Sequence, residues 1–128
     1  MLKAITPPSL RPPFARYSHG IEVPAGARLV FCSGQLGISA DEEIPESVEA
    51  QTELILSSIA AILAEAGMSL ADVVRFNAYV TAREHMAGYR DVRDRMVGDP
   101  PPTSTLVIVS GFTREAFKVE VEVVAAKV

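Results

Sequence analysis

Val119, Val121 and Val123 alternate with Lys118, Glu120 and Glu122 near the end of the chain. A period of two marks a β-strand with one packed and one polar face, so residues 117–125 are predicted as a strand. The segment LVFCSGQ, residues 29–35, is apolar on both sides: Val30 and Cys32 face one way, Leu29 and Phe31 the other. A sheet covered on one side only would leave half of these exposed, which predicts a second subunit over the open face. Residues 16–23 read as a shorter strand. The connection Pro24-Ala25-Gly26-Ala27 has turn residues and hairpin length, predicting a β-hairpin with 29–35. Residues 72–81, DVVRFNAYVT, and 104–110 supply two further strands rich in β-formers.

Elsewhere the period changes. Val48, Ile55, Ile59, Ile62 and Ala66 recur at helical spacing. They predict a helix over 45–66 with Pro45 in its first turn and Gly67 at its exit. A second helix, 84–97, carries Met86, Tyr89, Val92 or Arg93, and Met96 on one stripe, and is stopped by Gly98 and Pro100–Pro102. Pro7, Pro8, Pro12 and Pro13 make residues 6–13 an extended lead-in coil before the first strand. The order is ββαβαββ: an α+β fold whose two helices pack on one face of the sheet.

A length of 128 residues is that of one domain, residues 1–128, able to bury a core without metal or disulfide staples. With 48% hydrophobic but only 6% aromatic residues, the core must be built from Val, Ile, Leu and Ala. A single cysteine allows no internal disulfide, and no Cys/His spacing suggests a metal site; a reducing, cytoplasmic setting fits. No segment reaches the roughly 20 apolar residues of a membrane span, and the N-terminus lacks a signal-peptide core. A net charge of −4 without a Lys/Arg run argues against nucleic acid.

Taken in order, Tyr17-Ser18-His19-Gly20, Cys32-Ser33-Gly34-Gln35, Ala66-Gly67, Asp72-Val73-Val74, Pro102-Thr103-Ser104-Thr105 and Val119-Glu120-Val121-Glu122 resemble the Rid family, also called YjgF or L-PSP. The resemblance runs from about Phe14 to Ala125. It implies a chorismate-mutase-like fold with a mixed sheet, assembled as a homotrimer around an inner barrel, with small-molecule clefts between subunits. In the best-known branch it implies hydrolysis of imines and enamines to 2-keto acids and ammonia, without cofactor or metal.

Such chemistry needs a positioned water, a proton-handling group and a grip on the substrate. By resemblance Glu120 is the carboxylate that orients water or moves protons. Ser33 and Gly34 line the cleft, Tyr17 closes it, and Thr105 contacts the ligand through its backbone. Each has a plainer reading beside it. Glu120 could be one more solvated carboxylate, Ser33-Gly34 a strand end, Tyr17 a half-buried aromatic. His19, on the Tyr17 face, could titrate near neutrality, though a hydrogen-bonded surface role is the simpler one. Cys32 reads as a core cysteine rather than a nucleophile. Arg90, Arg93 and Arg95 with Asp91 and Asp94 read as a solvated helix face laced with ion pairs.

One position departs from the resemblance. Where the deaminase branch carries an arginine that grips the substrate carboxylate, this chain has Thr103. A hydroxyl offers one neutral donor where a guanidinium offers a charged fork. Either another cation, such as Arg16, Arg114 or a neighbouring subunit's, takes its place, or the ligand lacks a carboxylate there. Three functions follow: a small-metabolite-binding protein that hydrolyses a C=N bond, a non-catalytic ligand-binding or interaction module, and, more weakly, an endoribonuclease or translation inhibitor.

Overall fold

The structure is a computed structural model describing residues 1–128. The alternating C-terminal segment forms β6 (Val119–Lys127), one of the two inner strands of the main sheet. Its inward row, Val119, Val121, Val123 and Ala125, is almost completely buried, as the pattern predicts. On one side β6 pairs antiparallel with β3 (Arg28–Leu36), on the other antiparallel with β4 (Val73–Val80). Beyond β4 lies β5 (Thr103–Ile108), parallel to it. The order β3-β6-β4-β5 is a mixed sheet, and the parallel pair needs a crossover, which the second helix provides.

That helix, α2 (Met86–Met96), and the longer α1 (Val48–Ala64) cover the same face of the sheet. Ser47 caps α1 by accepting from the Ala50 N–H at 3.1 Å, so the helix starts three residues after Pro45. Gly67, at φ +71°, takes the left-handed exit conformation expected of it. The buried face of α1 is rotated from the predicted stripe: Leu56 and Leu63 point inward while Ile62 stays 37% exposed. Gln51 is also fully buried. Its amide donates to the carbonyls of Pro45 (2.9 Å) and Ala116 (2.8 Å) and accepts from the Lys118 N–H (2.9 Å), tying α1 to the start of β6. The two helices meet closely at Gly88, where a Cβ would stand 2.7 Å from a Val48 methyl carbon.

The predicted hairpin does not form. Residues 16–23 contribute only β2 (Gly20–Glu22), and its partner is β1 (Lys3–Ile5), a strand lying before the proline-rich coil instead of after it. The coil turns the chain back so that Ile5 sits opposite Gly20. Nine residues of β3 are left free to pair with the equally long β6. Pairing with β6 sets Cys32 against Val123 on the buried face, which three residues of β2 could not match. Leu29 (51%) and Phe31 (75%) are exposed on the opposite face, as their alternation predicts.

Candidate functional site

The pairing of β3 with β6 is interrupted once. Cys32 sits opposite Val123 and Gln35 opposite Val121, so Ser33 and Gly34 together face Glu122. Two residues against one is a β-bulge, and it lies at the Ser-Gly step singled out in the sequence. Gly34 makes room for Glu120: a Cβ there would come within 2.9 Å of the Glu120 Cδ and Oε2. The carboxylate therefore rests on the glycine backbone, an approach that any side chain at position 34 would obstruct. Ser33, Gly34 and Glu120 are thus brought together on the open face.

A second carboxylate organises the middle of that face. Glu122 Oε1 accepts from Tyr79 Oη at 2.9 Å and from Asn77 Nδ2 at 3.1 Å. Because Tyr79 donates its proton to Glu122, its pKa is raised; desolvation and the nearby charges of Glu122 and Glu120 act in the same direction. Further along the face, Arg75 donates to the Thr105 hydroxyl at 3.3 Å. Thr103 donates its own hydroxyl to the Val74 carbonyl at 2.6 Å, so the hydroxyl at the position of the missing arginine is spent on backbone. Phe31, Ser33, Arg75, Asn77 and Glu122 line an open hollow of about 440 Å³ here.

Tyr17 is elsewhere. It lies outside the strands, held by its neighbour Ser18, whose N–H and hydroxyl donate to the carbonyls of Pro102 and Pro101. Along β5, Ser104 and Leu106 face the helices whereas Thr103 and Thr105 face away from them. Tyr17 joins the Ser104 side. With Phe14, Met86, Arg90, Arg93 and Ser104 it lines a second cavity of about 190 Å³, which none of the other five predicted site residues reaches. His19 packs edge-on to Tyr17, ring centres 5.9 Å apart. Its Nε2 is 2.9 Å from the Arg11 carbonyl, which can only accept, so Nε2 carries the proton and the hydrogen-bonded role holds.

The expected solvated face holds for Asp91 and for Arg95, which is exposed and 3.2 Å from Glu53, but not for Arg93. Arg93 is only 3% exposed, and each of its three nitrogens donates to a protein acceptor. Nε and Nη2 donate to Asp94 Oδ1 at 3.1 and 2.9 Å, Nη1 to Ser104 Oγ at 3.0 Å, and Nη2 also to the Arg16 carbonyl at 3.4 Å. Arg90 lines the same cavity, takes part in none of the four ion pairs, and has a buried Nε without a partner. The sequence signal was there: Arg90 and Arg93 follow Met86 at helical spacing, at the edge of the apolar stripe. Of the two substitutes considered for the missing arginine, Arg16 is turned to the Gly98 carbonyl (3.0 Å) and Asp99 (3.8 Å). Arg114 is 3.8 Å from Glu42.

Cys32 is a core residue, its thiol pKa pushed up by burial. No three His, Cys, Asp or Glu side chains converge as metal ligands, and no helix is long and apolar enough to cross a membrane.

Comparison with known proteins agrees with this geometry. The profile of the endoribonuclease L-PSP family matches residues 9–127. The mitochondrial protein mmf2 of Schizosaccharomyces pombe is 32% identical over 101 residues, covering 77% of this chain and 80% of mmf2. Escherichia coli TdcF, provisionally named a reactive intermediate deaminase, is 27% identical over 115 residues, covering 87% and 86% of the two chains. Among solved structures, the Yersinia pestis protein YyfB, described as a Rid-family protein of unknown function, superposes with a TM-score of 0.83 at 25% identity over 98% of both chains. RidA from an Antarctic Psychrobacter gives 0.74 at 29% identity, covering 98% of this chain and 99% of its own.

Proposed function

The chain belongs to the endoribonuclease L-PSP family, known also as the Rid family, and from that premise we propose that it binds a small metabolite and hydrolyses its C=N bond, in a cleft between the subunits of a homotrimer. The observation carrying this reading is the Glu120 carboxylate seated on Gly34, whose neighbour in the bulge is the exposed Ser33.

Hydrolysis of an imine consumes one water. The water oxygen bonds to the imine carbon, the π pair moves to nitrogen, and the carbinolamine then expels ammonia to leave a carbonyl. Glu120 is suited to take the proton from the attacking water and return it to the departing nitrogen. Ser33 Oγ–H and the unpaired backbone of the bulge offer donors at the same spot. No cofactor is required by these steps.

The cleft needs a second chain. Tyr17 and Glu120 occupy different surfaces of one chain, and the open face carries exposed Leu29, Phe31 and Val107 around its polar centre. A neighbour's surface laid over that face would cover the apolar rim and bring a Tyr17 cavity toward Glu120. A reducing, cytoplasmic setting suits the free, buried Cys32.

Ammonia release from freshly generated 2-imino acids and neutral imines tests the reading. At least one class is expected to decay faster than in buffer, with Glu120→Gln slowing it by roughly 10²–10⁴-fold, the usual contribution of general acid–base catalysis. Ligand-induced thermal stabilisation without turnover would instead mark a non-catalytic binding module, and a monomeric mass in solution would remove the cleft.

A further inference from the structure

We infer that the cavity between α2 and β5 is a carboxylate pocket in which Arg90 grips the anionic end of the ligand, replacing the cation that position 103 lacks. The inference rests on the hydrolytic reading and adds to it a specificity-determining residue, Arg90, on the helix side of β5.

The chemistry of the lining carries it. Every polar side chain in this cavity is a donor with capacity to spare or a cation, and no Asp or Glu lines it. The Tyr17 hydroxyl accepts from the Phe14 N–H at 3.4 Å, leaving its own proton free. Ser104 Oγ accepts from Arg93 and likewise keeps its proton. Asp94, placed to neutralise Arg90 one helical turn away, is occupied by Arg93. Arg90 is left without an ion pair and with a desolvated Nε–H, which costs free energy unless an acceptor arrives.

Arg93 has a different part. Buried, and bonded through all three nitrogens, it forms a fixed floor that holds Ser104 and the Arg16 backbone in place. Apolar Phe14, Met86 and Leu106 complete the walls. At about 190 Å³ the cavity is smaller than the roughly 300–1,000 Å³ of drug-sized sites, the right scale for a small acid or for one end of a larger one. A planar guanidinium matches a carboxylate with two parallel hydrogen bonds.

Pyruvate, a stable 2-keto acid, and acetone, its neutral counterpart, are the probes, titrated into the full-length protein and followed by NMR. Pyruvate is expected to bind and to shift resonances of Tyr17, Ser104 and Leu106, whereas acetone is not. Arg90→Gln should weaken pyruvate binding at least tenfold, and Arg90→Lys should recover part of the loss, since it keeps the charge but not the fork. Circular dichroism melts verify that both variants fold.

The inference is overturned if Arg90→Gln leaves pyruvate affinity and the KM for 2-imino acids unchanged while Glu120→Gln still stops ammonia release; hydrolysis then stands without this anchor. It is overturned equally if pyruvate shifts the Arg75–Asn77 face and Arg75→Gln is the variant that abolishes binding. Arg90-dependent pyruvate binding by a protein that releases no ammonia would keep the anchor and sink the hydrolytic reading.

Discussion

Two surfaces flank β5, and they handle charge in opposite ways. On the open face two half-buried carboxylates stand at the centre: Glu122 is satisfied by the neutral donors Tyr79 and Asn77, and Glu120 rests on a glycine. On the helix side the charged groups are cations, one saturated and one not. Arg93 makes four hydrogen bonds to three residues, and Arg90, one turn earlier, has no ion pair. The contrast teaches that the residue type does not decide a role. Two arginines on one side of the helix divide into a paired and an unpaired one because the aspartate within reach is taken by the more deeply buried arginine.

Removing the saturated member should break this contrast most severely. Arg93→Ala strips the partners from Asp94 and Ser104 and opens a cavity beneath α2. A loss of about 2 kcal/mol is expected in urea denaturation, from the emptied space and the hydrogen bonds lost, since the half-exposed Asp94 carboxylate is rehydrated. Arg90→Ala, which breaks no ion pair, should cost less than about 1 kcal/mol. Equal losses would show that the two arginines do not differ as described.

The acidic face offers the next test. Gly34→Ala adds a Cβ 2.9 Å from Glu120; because the obstructed group is the end of a flexible side chain, the carboxylate should swing aside with little loss of stability. Ammonia release is expected to fall roughly tenfold, about 1.4 kcal/mol in the barrier, and an unchanged rate would mean that the seat on Gly34 is irrelevant.

The smallest effect comes from beneath the cation cavity. Tyr89 is fully buried, and desolvation pushes its pKa up to about 12 against the opposing pull of the Arg93 charge. A folded pKa above the unfolded value of about 10 means that the folded state holds this proton more tightly. The resulting stabilisation is complete below pH about 10 and lost as pH rises toward 12. Tyr89→Phe should flatten the decline in stability between these pH values, measured by denaturant melts, while changing neutral-pH stability by less than about 1 kcal/mol, since its hydroxyl has no partner to lose.

Much of the architecture was legible because periodicity is local. The inward valines of β6, the two-faced β3 and both helices follow from side-chain spacing along a few turns or a few pleats. The Ser33-Gly34 step was legible as a break in a strand, although its form as a bulge depended on what β6 placed opposite. What misled was proximity along the chain. Residues 16–23 and 29–35 look like a hairpin, yet the longer apolar match with β6, more than eighty residues away, wins because burying a full row of side chains outweighs the shorter loop.

The sequence by itself determined the four strands of the main sheet and both helices, the packed face of the last strand and the carboxylate at Glu120 on its polar side, since these depend only on backbone geometry and neighbouring side chains. Tertiary structure decided which strands pair, that Glu120 rests on Gly34, that Thr103 spends its hydroxyl on Val74, and that Arg90 rather than Arg93 is left uncompensated. The reason is that a charge takes its character from its partners in space, and Arg93 finds one of them 77 residues away, at the Arg16 carbonyl.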